Sequence, residues 1–145
     1  MTASMIFSAA NVLALVSWTV LILAVFRRID WLRDVLLGRF VPLAFATLYL
    51  LLIVFFFAKA PGSFDSLSNV KLLFTSDWMV LAGWVHYLAF DLFLGCWIAR
   101  EAAASGMPRW PMLLILPLTF LFGPIGYLSF EVTRFLLTHT SEVSA

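Results

Sequence analysis

Charge is what this chain has least of. Only 12% of its 145 residues are Asp, Glu, Lys or Arg, about half the share of a soluble domain. A net charge of +1 and the lack of a basic tract give no footing for nucleic acid. A single cysteine, Cys96, rules out an intrachain disulfide. Histidine occurs twice, as His86 and His139, with no cluster of His, Cys and carboxylates at ligand spacing, so no metal is expected. Phosphate loop, dinucleotide fingerprint, nucleophile elbow and CxxC pair are all missing, and no cofactor is expected. The first residues lack the basic region and small-residue cleavage site of a secretory signal, so the first apolar run is expected to remain as structure.

What the chain has is apolar length: 63% of its residues are hydrophobic and 17% aromatic. Four runs reach the ~20 residues that cross a bilayer: about 5–26, 40–58, 78–99 and 111–130. The expectation is an all-α integral membrane protein, a single transmembrane domain over 1–145. Its fold would be a bundle of four transmembrane helices with a short interfacial helix in the second loop. Arg27, Arg28, Arg33, Arg39, Arg100 and Arg109 flank loops one and three, against Lys59, Lys71 and Arg134 elsewhere. The positive-inside rule then puts those two loops in the cytoplasm and both termini outside. Loop one, with Trp31 at headgroup level, reads as a short surface helix. In loop two, Pro61-Gly62 is turn chemistry, and Ser63 or Asp65 could cap a helix over 67–74 that covers a cavity.

The third run holds the residues a bilayer tolerates least. Gly83-Trp84-Val85-His86-Tyr87-Leu88-Ala89-Phe90-Asp91-Leu92-Phe93-Leu94-Gly95 carries an imidazole and a carboxyl near mid-membrane. A central Asp costs about 2.5–3.5 kcal/mol on insertion scales, so both groups need a protein or water-lined side to face. At about 100° per residue, Gly83, Trp84, His86, Tyr87, Phe90, Asp91, Leu94 and Gly95 share one half of the helix. Leu81, Val85, Leu88, Ala89, Leu92 and Cys96 share the other, which is assigned to lipid. Tyr87 and Asp91 are i, i+4 neighbours, within hydrogen-bonding reach.

The fourth run breaks its own helix. Pro117 and Pro124 remove donors and free the carbonyls of Leu113 and Phe120, and Gly123 and Gly126 flank the second proline. Such irregular backbone is tolerated at membrane depth where it packs on protein or lines a wet cavity. A rise of about 1.5 Å per residue puts Tyr49 at the depth of His86, and Trp18 near that of Asp91. One cavity is therefore expected, with His86 and Asp91 as acid/base candidates. Tyr87, Tyr49, Trp18, Trp84, Gly123 and Pro124 would be its substrate-binding wall. Glu131 and Arg134 are expected to pair at the outer surface. Three readings of the His86–Asp91 face stay open: interhelical glue, acid/base chemistry on an apolar substrate, and a metal site short of ligands.

The third-run motif resembles the signature of the abscisic-acid-deficient-four family. Gly62-Ser63-Phe64 and Leu121-Phe122-Gly123-Pro124-Ile125-Gly126 agree with it in order. The resemblance covers the chain from about Pro61 onward and, more loosely, the first two helices. It implies a small multi-helix membrane protein of the neoxanthin-synthase type, whose reaction isomerises a carotenoid epoxide to an allene. That chemistry needs an acid and a base and no electron carrier. No plastid transit segment precedes the first helix, so a bacterial inner-membrane protein is expected, with a carotenoid or other isoprenoid lipid as substrate. The alternative is a non-catalytic lipid- or pigment-binding subunit that acts through a homodimer or a partner membrane protein.

Overall fold

The structure is a computed structural model describing residues 2–143, with side chains described through Leu137. His139 therefore lies outside the described side chains. Five α-helices occur and no strand is found among the described residues. Four helical stretches are long and apolar enough to cross a membrane.

Helix α1 (Ala3–Arg27) starts on Thr2, whose hydroxyl accepts from the Met5 N–H, and stops at Arg28, which adopts φ 58° and returns its N–H to the Ala24 carbonyl. Only a few residues separate it from the next helix. A π-helical stretch, Leu32–Phe40, runs without interruption into α2 (Val41–Phe56) and a closing 3-10 turn, Phe57–Lys59. Pro42 sits at the changeover, where its missing N–H coincides with the shift from i→i+5 to i→i+4 bonding. The short surface helix expected in loop one is thus the first two turns of the second long helix, a correction to the sequence reading. The span starts near Leu32 instead of 40. Trp31 stays exposed at its foot.

Helix α3 (Leu67–Leu73) is capped by Ser66, whose hydroxyl accepts from the Asn69 N–H at 3.2 Å. Neither Ser63 nor Asp65 is the cap. They stiffen the approach instead: Asp65 Oδ1 accepts from the Ser63 hydroxyl at 2.6 Å and from Asn69 Nδ2 at 2.8 Å. These two hydrogen bonds hold the exposed Asp65 carboxyl below its ordinary range, Ser63 contributing most.

Helix α4 (Asp77–Ala104) is the axis of the bundle. Over half of its most apolar window is buried, against about a sixth for the Leu32–Lys59 helix. The side of α4 that the helix wheel assigns to lipid is a packed one. Leu81, Val85, Leu88, Leu92 and Cys96 form the packed core, Cys96 being 0% exposed, whereas Phe90 is 61% exposed and Trp84 38%. Neighbouring helices approach closest along small and aliphatic side chains. The bulky aromatic rings are displaced to the rim, where lipid accommodates them as well as protein would.

Helix α5 (Met112–Val143) is two helices joined at a kink. Phe122 leaves helical geometry, at φ −149° and ψ 59°. Beyond it the chain doubles back. A Cβ on Gly126 would collide with the backbone of Thr119, seven residues earlier, a pair that a straight helix holds about 10 Å apart. Ser129 and Thr133 line one shallow hollow with Ile115 and Pro111. Trp97, near the lower end of α4, packs its ring against both Tyr127 (5.9 Å) and Phe130 (6.0 Å). Residues 112–121 and 123–137 are therefore the two arms of a helical hairpin whose tip reaches only the level of Tyr87 and Asp91.

Three helices run the length of the bundle and the fourth is re-entrant. The N-terminus lies at the Asp77 end, where Phe7 and Asn11 meet Trp84. The second arm of α5 returns to the Ala104 end. Four crossings would bring both ends of the chain to one side; the described residues instead begin at the Asp77 end and finish toward the Ala104 end. Glu131 and Arg134 do pair, at 2.6 Å, but on the arm that returns to the Ala104 end.

Candidate functional site

The polar residues of α4 divide between two neighbourhoods. Tyr87 and Asp91 face the break in α5. The Tyr87 hydroxyl donates to the Leu121 carbonyl at 2.7 Å and lies 3.3 Å from that of Phe120, the oxygen that Pro124 orphans. One turn on, Asp91 Oδ1 occupies the space that a side chain at Gly123 would need. Gly123 opens the second arm, so the carboxyl sits at the arm's N-terminal, electropositive end. A donor thus meets the closing carbonyls of one arm, and a carboxyl lies beside the glycine that opens the other. Asp91 is 7% exposed, and its Oδ2 is buried with no hydrogen-bond partner.

Trp18 belongs to the same side. Its ring lies on Gly95, whose missing side chain leaves room for the indole, and 5.4 Å from the Phe120 ring. Its Nε1 is also buried and unpartnered. Trp84, by contrast, donates to Asn11 Oδ1 at 2.9 Å and stacks between Phe7 and Tyr87. It ties α1 to α4 at the bundle surface.

His86 points elsewhere. Its ring packs 5.4 Å from that of Tyr49 on α2 and 4.7 Å from that of Phe90. With Tyr49, Ile53, Phe64, Leu73, Phe74 and Gly83 it lines a half-open hollow of about 240 Å³. Phe64 and Phe74, from the second loop and the end of α3, overhang it. Gly83 keeps the floor low where the Phe74 ring comes down. The expected single cavity is therefore two places, a correction. His86 and Tyr49 meet in one, and Asp91, Tyr87, Gly123, Pro124 and Trp18 gather around the other, with Trp84 outside both.

The hollow at His86 is apolar but for an imidazole and a phenol, and His86 lies about 14 Å below the start of α4. The hollow is wide enough for one six-membered ring with its substituents. Phe64 and Phe74 were not singled out from the sequence as wall residues, though the second loop was expected to lie over a cavity. Gly95 as the seat of Trp18 has no local signal in the sequence. Among the described residues, no three His, Cys, Asp or Glu side chains converge as metal ligands would.

A family model described as ABA4-like, ABA DEFICIENT 4-like, matches residues 5–130. That match takes in every residue of both neighbourhoods. Comparison with curated proteins and with solved structures returned no match.

Proposed function

The chain belongs to the ABA DEFICIENT 4-like family, and from that premise we propose that it receives the ring end of a carotenoid or other isoprenoid lipid in the His86–Tyr49 hollow. The observation that carries this is the hollow's chemistry: an apolar, half-open recess with one imidazole and one phenol in ring contact. A lipid-borne ring can enter it from the bilayer without passing through water, while its long chain stays among the acyl tails. Ligand sites of this kind use an apolar wall for affinity and a few polar groups for orientation.

The reaction we assign is an isomerisation by acid/base chemistry, as in the opening of a ring epoxide to an allenic alcohol. The Tyr49 hydroxyl gives its proton to the epoxide oxygen as the C–O bond breaks. His86 takes a proton from the adjacent polyene carbon, and the electrons of that C–H bond become the new C=C bond. Return of the proton from His86 to Tyr49 restores the starting state, so nothing is oxidised or reduced. Asp91 has no place in this step, because its surroundings are the α5 break. Its role is to hold the hairpin.

A second reading is binding without turnover, in which the protein presents a pigment to a partner. It is favoured by the hollow's openness, which leaves a reacting ring only partly shielded. Expression in a carotenoid-producing host, mild detergent extraction and mass spectrometry separate the two. A ring-isomerised product that disappears in His86→Gln supports the enzyme. Unchanged pigment carried by the wild type and lost in His86→Gln supports the binder. Neither product nor bound isoprenoid would refute both. We place the protein in a bacterial inner membrane, with the Ala104 end toward the cytoplasm.

A further inference from the structure

At the end of the bundle opposite the His86 hollow lies a larger recess, of about 700 Å³, that the reading above does not use. Arginines from three separate segments converge on it: Arg28 after α1, Arg33 in the π-helical turn and Arg109 in the α4–α5 loop. Arg33 is already committed. It bonds Asp34 through Nε and Nη2, both at 2.7 Å, and reaches Asp30 at 2.9 Å. Asp34 in turn lies 3.6 Å from Arg100. Asp30 and Asp34, the carboxylates beside Arg33, are therefore taken up.

Arg28 and Arg109 are not. Among the described residues neither forms an ion pair, and Arg109 has only a long hydrogen bond, 3.4 Å, to the Phe26 carbonyl. The left-handed turn at Arg28 carries its side chain away from α1 and onto the recess. Behind the guanidiniums the wall is apolar and shallow, made by Ala99, Ala102 and Met112.

We propose that this recess binds the phosphate group of an amphiphile, with Arg28 and Arg109 as the anion's partners and the alanine wall beside its first apolar atoms. Two planar guanidiniums suit a phosphate's oxygens better than a single carboxylate's. A membrane phospholipid and a soluble phosphate compound share that chemistry. The apolar wall is the feature a soluble anion would leave unused. The site is independent of the isoprenoid reading, since no residue is common to the two hollows.

The test uses the full chain, delipidated in maltoside detergent, with binding read by calorimetry and native mass spectrometry. Dioctanoyl phosphatidic acid is the probe, dioctanoylglycerol its uncharged control and inorganic diphosphate the competitor. The wild type is expected to take up phosphatidic acid in preference to the diacylglycerol. Each of Arg28→Gln and Arg109→Gln is expected to weaken that uptake about tenfold, the loss of one charge-assisted contact. The lysine variants, which keep the charge, should retain part of it. Weak competition by diphosphate assigns the site to a membrane headgroup; full competition supports phosphate recognition with a soluble source. Thermal melting of each variant shows whether it is folded, and the single substitutions can be read separately if the double one fails. Equal binding of phosphatidic acid and diacylglycerol, or wild-type affinity in both folded glutamine variants, would overturn the proposal.

Discussion

Gly126 lies against Thr119, close enough that any side chain on the glycine would strike the backbone of a residue two turns earlier. That contact fixes the topology of the molecule. With α5 folded back, seven of the nine Lys and Arg residues gather at the Ala104 end, leaving Lys59 and Lys71 at the other. Arg134 crosses from the minority to the majority, and the positive-inside bias grows. Cysteines introduced at Ser4 and at Ser129 in a Cys96→Ala background test the arrangement. In intact cells the Ser4 site should react with a membrane-impermeant maleimide from outside. The Ser129 site should react only once the inner face is opened. Labelling of both from outside would mean that α5 crosses completely.

Tyr87 closes the first arm of the hairpin. In Tyr87→Phe the carbonyls of Phe120 and Leu121 lose a donor in a place water reaches poorly. The expected cost is about 1 kcal/mol, read as a lower midpoint in detergent titration, with faster amide exchange over 119–124. Unchanged exchange there would show that the break holds without the phenol.

Gly95 and Trp18 are expected to be coupled. A methyl at Gly95 would meet the benzo edge of the indole, and such overpacking costs about 1–3 kcal/mol. Phenylalanine at position 18 withdraws the atoms concerned. Gly95→Ala should destabilise the wild-type background and do little harm in Trp18→Phe, a non-additivity that a double-mutant cycle measures directly.

The loop over the His86 hollow should loosen in acid. Asp65 is held by Ser63 and Asn69 in its ionised form, so its folded-state pKa is depressed. The order it confers is complete above the unfolded carboxyl's value of about 3.9 and is lost as pH falls through the lower, folded one. Amide exchange over 63–69 followed from pH 6 downward should rise late, and in Asp65→Asn it should be fast throughout.

The four apolar helices, a short helix in the second loop and the proline break were legible because each rests on local signals: apolar length, turn residues and a missing N–H. The sense of the break was not. Pro124 says that a carbonyl is freed, but whether the chain bends or reverses is decided by Tyr87, Asp91 and Thr119, far off in sequence or two turns back. The wheel for α4 failed for a related reason. It assumed that polar residues and the core share a face, yet in lipid the core is where small and aliphatic side chains let helices touch, and polar groups go wherever a partner waits. His86 and Asp91, close in sequence, found different partners.

That separation gives the sharpest prediction. If Asp91 holds the hairpin and His86 serves the ligand, their substitutions should move different observables. Asp91→Ala removes the group at the opening of the second arm and leaves space beside Gly123. It is expected to lower stability by about 0.5–3 kcal/mol, the ordinary range for a buried substitution, and to expose 119–126 to exchange. Isoprenoid retention by the fraction that folds should change little, because the hollow's residues are untouched. His86→Gln keeps a polar side chain at an exposed position and should leave the midpoint within about 0.5 kcal/mol. It should nonetheless abolish product or bound pigment. Tyr49→Phe is expected to follow His86→Gln, since the two rings share the hollow. Should Asp91→Asn abolish turnover at unchanged stability while His86→Gln retains it, the chemistry belongs beneath the hairpin tip, and the unpartnered Oδ2 of Asp91 and Nε1 of Trp18 become the atoms to pursue.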